Sequence, residues 1–136
     1  MIVPFNEKML ADFVYDGVES SHAQGHDIVG IMRHYASLGP AYMLIADGRV
    51  IAVGGAHEIM PGVGEGWLFA NSDTYKHKAE FYKAMKEYMW NIAKREKYKF
   101  IQIVCPSNSP EAKRLVEHLG FSEGIEMTFY HLRTGA

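Results

Sequence analysis

The run Ala41-Tyr42-Met43-Leu44-Ile45-Ala46, then Asp47-Gly48-Arg49, then Val50-Ile51-Ala52-Val53-Gly54-Gly55-Ala56, decides how the rest of the chain is read. Two β-prone segments flank an Asp-Gly pair, and Asp-Gly supplies the positive φ angles that a tight hairpin turn requires. The pattern predicts two antiparallel strands. Immediately downstream, Pro61-Gly62-Val63-Gly64-Glu65-Gly66 reads as a second turn-rich stretch, and Trp67-Leu68-Phe69-Ala70 as a short buried strand after it. Three antiparallel strands thus follow one another.

Further along, Phe81, Met85, Tyr88, Met89 and Ile92 recur at helical spacing, with Lys83, Lys86, Glu87 and Lys94 largely off that stripe. The spacing predicts a long amphipathic helix from Asp73 or Thr74, both good N-caps, to about Arg95. Phe100-Ile101-Gln102-Ile103-Val104 reads as a nearly continuous apolar strand. Ser109-Pro110-Glu111 then offers a cap, a first-turn proline and an acid at the positive end of a helix that runs to about Leu119 and stops at Gly120. Ile125 to Leu132 alternates as a closing strand or hairpin would. Upstream of the hairpin, Met9, Phe13 and Val14, then Ile28, Ile31, Met32 and Tyr35, recur about once per helical turn, which predicts an initial strand and two helices before Pro40.

Composition narrows the function classes. A length of 136 residues suits one domain, and 48% apolar with 22% charged residues is ordinary for a globular protein. No segment stays apolar for the roughly 20 residues of a membrane span. The start, Met1-Ile2-Val3-Pro4-Phe5-Asn6-Glu7-Lys8, has none of the marks of a secretory signal, so the expected setting is a cytoplasm. Cys105 is the sole cysteine, which excludes an internal disulfide and a cysteine-based zinc cluster. Sixteen acidic against fourteen basic residues leave no field that would draw the chain onto nucleic acid or anionic lipid. Lys94, Arg95, Lys97 and Lys99 form only a local basic patch. The partner is expected to be a small molecule or another protein.

His22 and His26 are four apart and would share a helix face, with His34 further on, but no carboxylate completes a metal-binding pattern and Gly25 weakens the helix. No metal is expected.

The order of elements, ending in Asn108-Ser109-Pro110-Glu111-Ala112-Lys113-Arg114-Leu115-Val116-Glu117-His118-Leu119-Gly120-Phe121, resembles the GCN5-related N-acetyltransferase family. Ala112, Leu115, Leu119, Gly120 and Phe121 sit where the family pattern has them, and the agreement in element order covers nearly the whole chain. The tract Trp67-Leu68-Phe69-Ala70-Asn71-Ser72-Asp73, a Lys-rich helix and the late Gly-Phe are also similar to short acetyltransferase-like proteins of short-tailed bacteriophages, some of them internal virion proteins. The resemblance implies an α/β fold with a mixed, mostly antiparallel central sheet flanked by helices. It also implies acetyl-CoA as co-substrate and an amine, on a small molecule or a protein, as acceptor, in a host cytoplasm or a virion if the chain is phage-encoded.

In that family the acyl-CoA lies where the fourth and fifth strands splay apart, its pyrophosphate on amides at the start of the next helix, where free N–H groups and the helix dipole favour negative charge. Carried onto this chain, Phe69, Ala70, Asn71 and Ser72 line one side of the wedge and Val104, Cys105 and Pro106 the other. Asp73 to Lys78 then face the phosphates. The family's glycines are missing from Asp73-Thr74-Tyr75-Lys76-His77-Lys78-Ala79, so Lys76, His77 and Lys78 would replace amide contacts with charge-assisted hydrogen bonds, unless they only solvate a first helical turn. Acetyl transfer needs a base for the ammonium, donors for the thioester carbonyl and an acid for the leaving thiolate. Glu65 is the first candidate base, with Glu58 and His57 behind it. The family's acidic Tyr is here Val116, which donates no proton, and Cys105, Tyr75 or Tyr82 are the stand-ins. Asn108 and Ser109 take the place of the family's Asn at the last helix. The early segment, with His26, Asp27, Arg33 and Tyr35, would shape access of the acceptor. Two readings stay open: a working acyltransferase, and a catalytically lapsed member of the fold that binds a host or virion protein.

Overall fold

The computed structural model describes residues 1–16, 27–103 and 110–122, with residues 124, 130, 132 and 135. Among these residues, five strands form one sheet in sequence order: β1 (Ile2–Pro4), β2 (Ala41–Ala46), β3 (Arg49–Met60), β4 (Val63–Ala70) and β5 (Phe100–Ile103). The first four pair antiparallel and β5 pairs parallel to β4. The helices are α1 (Ile28–Leu38), α2 (Lys78–Arg95) and α3 (Pro110–His118), with short 3-10 turns at Glu7–Leu10 and Ser72–His77. This is the mixed, mostly antiparallel α/β architecture expected. Among the described residues, no helix is long and apolar enough to cross a membrane.

The hairpin forms as its sequence dictates. Asp47 (φ 52°) and Gly48 (φ 73°) make a two-residue turn with both φ angles positive, and Arg49 already belongs to β3. The sheet then separates two apolar layers. Leu44, Ile51, Phe81, Met85 and Leu119 pack between one face and α2 and α3. Leu10, Met32, Met43, Val53 and Trp67 pack on the other face with α1, and Met32 and Met43 are fully enclosed. Alternation along β4 divides its side chains accordingly: Leu68 and Ala70 join the first layer, Trp67 and Phe69 the second.

Four local expectations are corrected. The turn after β3 is confined to Pro61–Gly62, and Val63 to Gly66 are already strand. Their glycines are there for close packing: a Cβ on Gly64 would come within 2.5 Å of the Tyr98 ring. Glu65 therefore sits inside β4 instead of in a loop before it. The helix expected from Asp73 or Thr74 begins at Lys78, because Asn71 folds residues 72–77 into a 3-10 turn. Of the two early helices, the one around Met9 is a single 3-10 turn, Glu7–Leu10, too short to continue the periodicity to Val14. The closing strand over Ile125 to Leu132 and the end of the fifth strand at Val104 lie outside the described residues, apart from isolated positions.

Candidate functional site

The candidate site is built around the end of β4. Its pairing with β3 continues to Ala52↔Ala70. Its parallel pairing with β5 runs from Val63↔Phe100 to Gly66↔Ile103, the last described residue of that strand. Trp67 to Ala70 carry β4 on from that register to the turn at Ser72–His77.

At the end of β4 stands Asn71, only 8% exposed. Its N–H donates to Ile51 O at 2.9 Å and its Nδ2 to Val50 O at 3.3 Å, which ties the end of β4 to β3. Its Oδ1 accepts from the Asp73 N–H at 3.0 Å, and its carbonyl accepts from Thr74 N–H and Thr74 Oγ1 at 3.2 and 2.9 Å. An asparagine is what such a clamp needs, since one side chain must both donate and accept. Asn71→Ala is expected to cost about 2–3 kcal/mol, a lost cap plus a buried carbonyl left without its donor, measured by urea denaturation.

The next residue is held from across the chain. Ser72 N–H and Oγ donate to the two oxygens of Asp16, each at 2.8 Å. Arg49 Nη2 pairs with Asp73 Oδ2 at 3.2 Å, and His77 Nε2 lies 3.0 Å from Asp47 Oδ2, so the hairpin turn is fastened to the 3-10 turn twice. Beside these contacts is a cleft of about 290 Å³ walled by Phe13, Val14, Asp16, Arg49, Asn71 and Ser72. Lys76 and Lys78 are exposed, without an ion pair among the described residues, and Lys78 Nζ lies 5.9 Å from the Tyr75 ring centre.

Two residues before Trp67, in the part of β4 paired with both neighbours and on the face covered by α1, Glu65 is half-buried between His57 of β3 and Gln102 of β5, its partners in register. Tyr35 of α1 stacks on His57 (ring centres 5.5 Å apart, planes 14° apart) and leans on Trp67 at 5.4 Å. His57 Nδ1 and Trp67 Nε1 are both buried without a hydrogen-bond partner among the described residues. Glu58, adjacent to His57, lies on the opposite face and is exposed; its Oε1 accepts from the Gly62 N–H at 3.1 Å and so caps the turn into β4. Next to it, burial first and then the charges of Glu96 and Glu58 push the Tyr98 hydroxyl up.

The candidates named from the sequence are therefore not one cluster. Ala70, Asn71, Ser72, Lys76, His77 and Lys78 do gather at the end of β4, whereas Phe69 turns its ring into the α1 layer, edge-on to Tyr15 at 5.2 Å. Glu65 and Glu58 are separated by the sheet. Tyr82 packs against His118 with ring centres 4.1 Å apart, and Tyr75 is 55% exposed. Val116 is half-buried in α3. Asp27 caps α1 through Gly30 N–H, and Arg33 is held by Glu7, whose carboxyl that hydrogen bond keeps below its usual range. Cys105, Asn108, Ser109, Val104, Pro106, His22 and His26 lie outside the described residues. Asp16 and Gln102 were missed from the sequence, since neither sits in a motif and the Asp16–Ser72 contact spans 56 positions.

No family model and no curated protein matches the chain. Solved structures do match. The chain is similar to the aminoglycoside 6'-N-acetyltransferase AAC(6')-Ih from Acinetobacter baumannii, with TM-score 0.67 and 15% identity over 99% of both chains. It is also similar to glucosamine-6-phosphate N-acetyltransferase from Arabidopsis thaliana, with TM-score 0.65 and 15% identity over 96% of this chain and 97% of that one. A third similar structure is AAC(6')-Iy in complex with CoA, with TM-score 0.66 and 15% identity over 98% of this chain and 99% of that one. At these identities the likeness is one of fold: the chain has the fold of the GCN5-related N-acetyltransferases.

Proposed function

We propose that the chain is an acyl-CoA-dependent N-acyltransferase with a divergent pyrophosphate turn, using acetyl-CoA as donor and an amine as acceptor. The observation that carries the reading is the fold: over 98–99% of its length the chain is similar to solved N-acetyltransferases, one of them in complex with CoA, and its β5 lies parallel to β4, which leads into a turn and a long helix. The pantetheine would run along β4, and the phosphates would reach the turn at Ser72–His77 and the exposed Lys76 and Lys78.

Chemistry follows from what surrounds β4. Glu65 takes a proton from the acceptor ammonium; the freed amine attacks the thioester carbonyl carbon; the oxyanion is met by backbone N–H of β4. The C–S bond then breaks, the CoA sulfur leaves as thiolate, and the second proton of the former ammonium passes from nitrogen through water to that thiolate. A thiol is acidic enough, at about 8.5, that the leaving thiolate can take its proton from water, so Val116 in place of a tyrosine does not forbid the reaction.

The second reading, a catalytically lapsed fold that binds a host or virion protein, is favoured by one observation: a carboxylate, Asp16, already stands on the Ser72 N–H, at the turn where a phosphate would go. Calorimetric titration with CoA and acetyl-CoA separates the two. The acyltransferase reading expects dissociation constants in the micromolar range, weakened about tenfold or more by Lys76→Ala combined with Lys78→Ala, as two charge-assisted contacts are lost. No heat at millimolar ligand leaves the binding protein.

A further inference from the structure

The hold of Asp16 on Ser72 has features that a chance surface contact lacks. Both carboxylate oxygens are used, one on the backbone N–H and one on the hydroxyl, at 2.8 Å each. Ser72 N–H first, and its hydroxyl second, hold the Asp16 carboxyl below the ordinary carboxylate range, so the bound form is the anion. The strap that delivers it is anchored: Leu10 is 2% exposed in the α1 layer, Phe13 packs on that layer and donates its N–H to Leu10 O, and the Tyr15 ring meets Phe69 edge-on. Asp16 is thus brought to the end of β4 by packing that does not depend on the bond itself.

Its charge is wrong for a neighbour of phosphate. The cleft beside it is lined by the carboxylates of Asp12, Asp16 and Asp73 against the single guanidinium of Arg49, which Asp73 already engages. A pyrophosphate approaching this turn meets a resident anion on the very donors it would use, and two anions cannot share one N–H.

We propose that Asp16 is a built-in competitor of the donor: the strap from Leu10 to Asp16 latches onto Ser72 in the free protein, and acyl-CoA binds only as the latch releases. The inference rests on the acyltransferase reading. It makes donor affinity the product of two equilibria, intrinsic binding and the fraction of molecules unlatched. The carboxylate also satisfies a turn amide that a phosphate would otherwise satisfy. A partner or acceptor that displaced the strap would raise donor affinity with no contact to the donor.

The experiment is calorimetric titration of CoA into the full chain as wild type, Asp16→Asn and Asp16→Ser, with the melting temperature of each recorded. Removing the resident anion is expected to tighten CoA binding about tenfold, the factor for a latch closed in roughly nine molecules of ten. Asp16→Ser guards against an asparagine that keeps one hydrogen bond to Ser72, and against one variant failing to fold. Measurable binding by the variants where the wild type shows little also supports the latch. Wild-type binding with equal or weaker affinity in both folded variants overturns the latch and leaves the acyltransferase reading standing. Absence of binding in all three overturns both.

Discussion

Glu65→Gln is expected to lower the rate of acetyl transfer to an amine by about 10²- to 10³-fold, the range that removal of a general base produces, while leaving CoA affinity within about twofold. The split follows from position. Glu65 lies on the α1 face in the part of β4 paired with β5, while the donor's phosphates are assigned to the turn beyond Ala70, so its loss touches the acceptor and not the donor. Glutamine keeps the shape of the half-buried side chain and its contact with the His57 and Gln102 positions, so the melting temperature should hold. Stopped or coupled assays with a free thiol readout, run with a panel of primary amines, give the number. Glu58→Gln is the comparison that decides between faces. Its carboxylate caps Gly62 on the other side of the sheet, so it should lower stability and spare the rate. A rate lost in Glu58→Gln and kept in Glu65→Gln would move the base to the α2 face and sink the present assignment.

Much of the fold was legible because its signals are local. The Asp47-Gly48 pair fixes a hairpin whatever surrounds it, and the Phe81 to Ile92 stripe fixes α2. The misreadings came where glycine serves packing and not turning. Val63-Gly64-Glu65-Gly66 reads as a loop from composition, yet Gly64 is a strand residue emptied to admit the Tyr98 ring, a demand that comes from 34 positions away and leaves no mark in the local pattern. The site was less legible than the fold for the same reason. The turn at Ser72–His77 owes its place to Asn71 and its long-range hydrogen bonds to Val50 and Ile51, which no local pattern announces. Asp16 is one acid among sixteen in the sequence, and only the strap's packing brings it to Ser72. Conversely, residues that looked functional by type were absorbed by structure: Asn71 into a clamp, Asp27 into a cap, Arg33 into a pair with Glu7, Glu58 into a turn.

Gly55→Ala is expected to be the most damaging single-methyl change among the described glycines, costing more than about 3 kcal/mol of the 5–15 kcal/mol that hold a domain of this size. A Cβ at Gly55 would stand 2.2 Å from Pro40 O, 3.0 Å from Ala41 Cα and 3.1 Å from the Trp67 ring. The first two are backbone and cannot rotate away. Relief means parting β2 from β3 where Ala41 faces Gly55 and where Ala56 N–H reaches Pro40 O, and moving Trp67, which packs with Tyr35 beside His57 and Glu65. The damage is thus aimed at the acceptor face as well as at stability. Gly48→Ala tests whether clash or conformation is responsible: Gly48 has φ +73° but nothing within 4 Å of a Cβ, so its substitution should cost only about 1–2 kcal/mol of left-handed strain. Urea unfolding of the two variants gives the comparison. Equal losses would mean that β2 and β3 can part at Gly55 without penalty. The close seating of Pro40 against β3, on which the placement of α1 over Trp67 and Glu65 depends, would then be withdrawn.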